Sequence, residues 1–248
     1  MDLKGKVSLV TGSASGIGRA TILELAKAGA NVVVSDIRAG AEAEKTVADA
    51  KAFGVQAIFA QADVSNDASI TAAINRAKDE FGRLDVLVNN AGTTVFVPYQ
   101  DLDALTDEIW QRIMNVNMMG VFYGSRAAAK IMLAQKSGCI VNIASGAARN
   151  AGGSSIPYTV SKAAVVSLTQ TLAKALAPNI RVNAVCPGVV DTRWHDGHEE
   201  NKTNFAARNL LGRVSTAEDI AEVVLALVTN AGFITGQYIL VDGGFTLF

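Results

Sequence analysis

The chain has 248 residues, half of them hydrophobic, with a formal net charge of −1. That length without a compositional break predicts one large α/β domain able to bury a sizeable core. The near-neutral charge offers no clustered cations for a phosphate backbone or an anionic membrane, so the expected partner is a small molecule, neutral or mildly charged, and neither nucleic acid nor membrane.

The first predicted strand, Val7–Val10, runs into TGSASGIG (Thr11 to Gly18) and then into the helical pattern RATILELAKAG. Gly12, Gly16 and Gly18, with Ser15 and Ile17 between and beside them, let the backbone turn sharply and approach a pyrophosphate at a helix N-terminus. Such a turn also serves as a plain tight connection. What favours a dinucleotide is the acid that follows the second strand, Asn31–Ser35: the carboxylate of Asp36 is placed to accept from an adenosine ribose diol and to repel a 2′-phosphate, which selects NAD over NADP. Arg38 softens that preference, no basic residue stands at Ser13 to Ser15, and a solvated strand-end acid is the plainer alternative.

The third strand, Val55–Ala60, closes in QADVSND at Asp63 and Val64, where a helix cap by Ser65 or Asn66 is the alternative role. The fourth, Leu84–Val88, leads into NNAG and Asn90. Gly29, Gly54 and Gly82 stand where left-handed helix stops are expected. A long helical pattern from about 103 to 134 contains Asn117, a poor helix former, which points to a kink or a hydrogen-bonding role if the residue is not simply exposed.

The fifth strand, Gly138–Ile143, ends at Ser145, on the edge where doubly wound sheets hold their ligands. In YTVSK, Tyr158 and Lys162 stand four apart on one helical face, and the ammonium together with the positive charge of a bound oxidised nicotinamide is expected to lower the phenol pKa from its reference near 10; an isolated surface pair is the alternative. Pro178 stops that helix. Strands Ile180–Val185 and Gln237–Val241 follow, and between residues 192 and 213 periodicity fails, as expected of a polar, mobile flap. His195 and His198, with Asp196, Glu199 and Glu200, suggest a metal site less well than a solvated flap. Runs such as VSLV and NVVVS are apolar on both faces, so the expected fold is a doubly wound parallel sheet of about seven strands flanked by helices. Cys139 and Cys186 lie inside such runs and read as buried thiols; with no secretory h-region in MDLKGKVSLV, a cytoplasmic location is expected.

The ordered series TGSASGIG, Asp36, Asp63-Val64, NNAG, Asn117, Ser145, YTVSK, PGVVDT and VDGG resembles the short-chain dehydrogenase/reductase family from about Lys6 through Gly244. The resemblance implies a single NAD-binding Rossmann domain over 1–248 with a substrate flap at about 192–213. It implies a catalytic tetrad of Asn117, Ser145, Tyr158 and Lys162, with Asn117 holding a relay water and Lys162 also meeting the nicotinamide ribose. Asn90 and Val190 would line the cofactor cleft, while Pro187, Gly188 and Thr192 would support the nicotinamide. The implied chemistry is metal-free hydride exchange between NAD and a secondary alcohol or ketone. A homotetramer built through the two long helices and the C-terminal strand is also implied, and the apolar FTLF ending is compatible with a terminus buried there, packing against its own domain being the alternative. A 3-oxoacyl-carrier-protein reductase is the alternative, and a non-catalytic NAD-binding regulator or scaffold a weaker one.

Overall fold

The computed structural model describes residues 1–247. Its strands, β1 (Val7–Thr11), β2 (Asn31–Asp36), β3 (Ala57–Gln61), β4 (Val86–Asn89), β5 (Gly138–Ile143), β6 (Ile180–Pro187) and β7 (Tyr238–Val241), pair in parallel in the order β3-β2-β1-β4-β5-β6-β7. This is the expected single Rossmann-type sheet, and every strand boundary falls within two residues of its predicted place.

The two-faced hydrophobicity of the strands explains the layers. Leu9, Val33, Leu87 and Ile140 point to one side, where they pack on α3 (Asp67–Phe81), α5 (Gly120–Gln135) and α7 (Ile156–Leu176). Their neighbours Val10, Val32, Val34, Val86, Val88 and Val141 point to the other, against α1 (Gly16–Lys27), α2 (Ala41–Lys51) and α9 (Ala217–Thr229). Period-two alternation thus feeds two cores at once. Because the chain winds outward from β1 to β3 and then returns to β4 on the opposite side of β1, a crevice opens at the C-terminal ends of β1 and β4.

The helix punctuation follows the sequence. Asn66 caps α3 by accepting from the Ser69 amide, and Gly82 ends it at φ +75°, a left-handed conformation that costs glycine nothing. Gly29 and Gly54 likewise lie in the left-handed region just past their helices. No helix is long and apolar enough to cross a membrane among the described residues.

Two expectations need correction. The long pattern placed from 103 begins at α4 (Asp107–Met114), because the Thr106 hydroxyl caps it by accepting from the Ile109 amide, and it passes through a π-helical turn, Asn115–Met119, before α5. The region 192–213 is not without regular structure: it holds a 3₁₀ turn (Arg193–His195) and α8 (Glu199–Arg208), whose one buried residue is Phe205. At the end of the chain, Phe245 stacks on Phe205, Leu247 is 76% exposed in the single chain, and Phe248 lies outside the described residues.

Candidate active site

A cleft of about 1590 Å³ runs along the C-terminal ends of the strands. It gathers Gly12, Ser15, Gly16, Ile17, Asp36, Asp63, Val64, Asn90, Ser145, Tyr158, Lys162, Pro187, Gly188, Val190 and Thr192 along one wall-to-wall surface. Of the residues singled out from sequence, Gly18 and Asn117 stand behind that surface rather than on it.

The glycine turn is built by close approach. A Cβ on Gly18 would stand 2.3 Å from the Gly12 carbonyl oxygen and 2.5 Å from Asn90 Nδ2, so only glycine lets the turn fold back on itself. Asn90 then locks it: its amide nitrogen donates to Thr11 O at 2.9 Å and Gly12 O at 3.1 Å. The first turn of α1 carries no acid and no side-chain cap, which leaves backbone amides turned toward the cleft. Asp36 braces the same turn by accepting from the Ala14 amide at 3.1 Å. Exclusion of any Cβ, an uncapped helix N-terminus and a strand-end carboxylate together fit a nicotinamide dinucleotide.

At the other arm of the cleft, Ser145 follows β5 and Tyr158 and Lys162 project from α7. Lys162 is only 4% exposed, and its ammonium donates to the Ile143 carbonyl at 2.8 Å while lying 5.8 Å from the centre of the Tyr158 ring. Burial lowers it to about 8. Burial also pushes the Tyr158 hydroxyl up to about 12, against the pull of the Ser145 hydroxyl and with a small added push from the Cys186 thiol. The expected acidic tyrosine belongs to the complex with an oxidised nicotinamide; in the protein alone desolvation is the largest influence on the phenol, and the lysine's hydrogen bond goes to the backbone of β5.

Asn117 sits in the π-helical turn, fully buried. Its Oδ1 accepts from the Thr93 amide at 2.8 Å, and its Nδ2 donates to Thr93 O and to Ser161 Oγ, both at 3.0 Å. The side chain therefore ties the segment after NNAG to the helix that carries Tyr158 and Lys162. Gly92 marks where these parts meet: a Cβ there would stand 3.5 Å from Asn117 Oδ1 and 3.7 Å from Lys162 Nζ. Across the cleft, the Cβ position of Gly16 is 3.5 Å from Thr192 Cγ2, which puts the glycine turn and the start of the flap face to face.

A family profile described as enoyl-(acyl carrier protein) reductase matches residues 12–246. Cis-4-hydroxycyclohexanecarboxylate dehydrogenase of Sinomonas cyclohexanicum is 40% identical, with 97% of this chain and 96% of that protein covered. The 3-oxoacyl-[acyl-carrier-protein] reductase of Synechocystis is 39% identical over 99% of both. The crystal structure of NADPH-dependent 3-quinuclidinone reductase from Rhodotorula rubra superposes with a TM-score of 0.92 at 33% identity, covering 100% of this chain and 93% of that one. The chain belongs to the short-chain dehydrogenase/reductase family. It is an oxidoreductase of that family.

For a short-chain dehydrogenase/reductase, several residues prominent in the site were not evident from the sequence. A buried polar ladder runs from Asn89 Nδ2 to Ser125 Oγ (3.0 Å) and Asn142 Oδ1 (2.8 Å), and from Asn142 Nδ2 to Thr169 Oγ1 (2.9 Å). The second asparagine of NNAG drew attention, whereas the first carries this network. Asp242 and Phe245 close the far end of the cleft, which the terminal VDGG signalled only in outline. His198 stacks on Phe96 with ring centres 3.9 Å apart, and no group of three or more His, Cys, Asp or Glu suited to a metal ion occurs among the described residues.

Proposed function

We propose that this enzyme interconverts a secondary alcohol and a ketone with NAD(H), using Tyr158 as general acid and base. The observation that carries the reading is the convergence of Ser145, Tyr158 and Lys162 on one cleft with the glycine turn and Asp36. When bound, the nicotinamide supplies the hydride acceptor for oxidation or the hydride donor for reduction. In oxidation the deprotonated oxygen of Tyr158 takes the hydroxyl proton as the carbon loses hydride; in reduction the Tyr158 hydroxyl returns a proton to the carbonyl oxygen. Ser145 orients that oxygen and steadies the charge developing on it.

Lys162 supplies positive charge beside Tyr158 and, through its ammonium, a hold on the ribose hydroxyls. A second positive charge, that of the oxidised ring, joins it in bringing Tyr158 down from about 12. Asn117 acts from behind, as the residue that holds the relay water beside Lys162. Gly12, Ser15, Gly16, Ile17 and Gly18 take the pyrophosphate, Asp36 the adenosine ribose, and Pro187, Gly188 and Thr192 the nicotinamide. Asp63, Val64, Asn90 and Val190 wall the rest of the cofactor cleft.

Asp36 favours NAD over NADP, since a 2′-phosphate would meet its carboxylate. A 3-oxoacyl-carrier-protein reductase is the second reading, supported by the Synechocystis relative; Asp36 weighs against it, because that class favours NADPH. The four intact tetrad positions weigh against a silent regulator. We read the whole chain as one cofactor-binding domain with residues 192–213 as its substrate flap, a homotetramer working in the cytoplasm. The deciding experiment is Tyr158→Phe assayed on a panel of secondary alcohols and ketones. Turnover falls about 10²–10⁴-fold if the phenol moves the proton; near-wild-type turnover ends this reading.

A further inference from the structure

We propose that Trp194 sets the substrate preference of this site, selecting compact, ring-bearing secondary alcohols and ketones over acyl thioesters; the inference rests on the oxidoreductase reading above. The 3₁₀ turn that carries Trp194 is pinned from three sides. Thr192 Oγ1 accepts from the Trp194 amide at 3.4 Å, Arg193 makes a two-pronged ion pair with Glu42 of α2 (2.7 and 3.1 Å), and Asp191 accepts from Lys202 at 2.8 Å. With Arg193 held outward on α2, Trp194 turns into the cleft. Its ring centre is 5.8 Å from that of Tyr158 with the planes inclined by 51°, and its Cη2 is 3.8 Å from where a Cβ on Gly92 would stand.

The indole is thus a wall beside the proton-transferring phenol. Phe96, stacked on His198 at 3.9 Å, forms a second wall of the same cleft. Flat, stiff walls offer a small ring a large contact area at little cost in freedom, whereas a flexible acyl chain gains less against them.

The test compares kcat/KM for cyclohexanone and for acetoacetyl-CoA in the full-length enzyme with its preferred nicotinamide cofactor. The expected result is a wild type that prefers the cyclic ketone. Trp194→Ala should then lose about tenfold on cyclohexanone with little change on the thioester or in the KM for the dinucleotide, and Trp194→Phe should recover most of the loss. Glu42→Arg should shift the same ratio less, and adding Arg193→Glu should restore it, which a merely destabilised flap would not do. The inference is overturned by a wild type that prefers acetoacetyl-CoA, by an unchanged ratio in Trp194→Ala, or by equal loss on both substrates. Tighter dinucleotide binding in Trp194→Ala with an unchanged ratio also overturns it, since the indole would then be a stopper in the cofactor seat. A wild type inactive on both substrates and on the wider alcohol and ketone panel, with either NADH or NADPH, strikes the underlying oxidoreductase reading instead.

Discussion

Asp85 and Lys162 are both charged side chains buried at the sheet, at opposite ends of the strands, and their surroundings differ. Asp85, just ahead of β4, is fully buried and fully satisfied: it accepts from the Val7 amide at 3.0 Å and from Arg83 Nε and Nη2 at 2.7 Å each, with Lys6 Nζ at 3.7 Å. Lys162, beyond the far end of β5, has one backbone carbonyl as acceptor and no carboxylate within ion-pair distance among the described residues. Where every lone pair is answered, a buried charge stabilises the fold only in its saturated form. Where the shell is left incomplete, the charge stays responsive to whatever enters the cleft.

The sharpest way to break that contrast is Asp85→Ala. It should lower unfolding free energy by about 3 kcal/mol in a denaturant titration, because Arg83 and the Val7 amide lose their partner, while activity per folded molecule stays unchanged. A loss of kcat at intact stability would show that the two ends are not separate in role. Lys162→Met should do the reverse: kcat/KM falls about 100-fold, roughly 2.7 kcal/mol, while unfolding free energy is unchanged or raised, since a poorly compensated buried ammonium is gone. The same variant sharpens the pH argument. Burial holds the Tyr158 hydroxyl near about 12 in the free protein, so alcohol oxidation, which needs the deprotonated form, rises with pH and ketone reduction falls. Without the lysine charge the oxidation limb should move to higher pH, as read from kcat/KM profiles. The smallest effect is expected at Asp36, which sits on the responsive end yet is partly exposed. Asp36→Ala should reduce the NAD-to-NADP ratio of kcat/KM about tenfold, measured with one substrate and both cofactors.

The sheet was legible because its strands are apolar on both faces and its helices end at left-handed glycines, signals local to a few residues. The glycine turn, Asp36 and the Tyr158–Lys162 spacing were legible for the same reason. α8 was not: with Phe205 as its one buried residue, its sequence has almost no apolar stripe to betray a helix. Nor was the burial of Lys162. Spacing put Lys162 one turn away but not its ammonium on the Ile143 carbonyl, and depth of burial is a property of the packed sheet, not of the motif. Asn117 stood out as an odd helix residue, yet its partners Thr93 and Ser161 lie 24 and 44 positions away, and their meeting is decided by the topology.

The ladder from Asn89 through Asn142 to Thr169 has a consequence for the helix that carries Tyr158 and Lys162. Thr169 lies about two turns beyond Lys162 on the same side of α7. Sliding that helix by one residue one way would present Leu168 to Asn142 and leave a buried amide without an acceptor, and the other way would force the longer Gln170 into the space of a threonine. The three side chains therefore behave as a key cut for one axial setting: the height of phenol and ammonium above the strands is fixed deep in the interior, at a distance from anything a ligand touches.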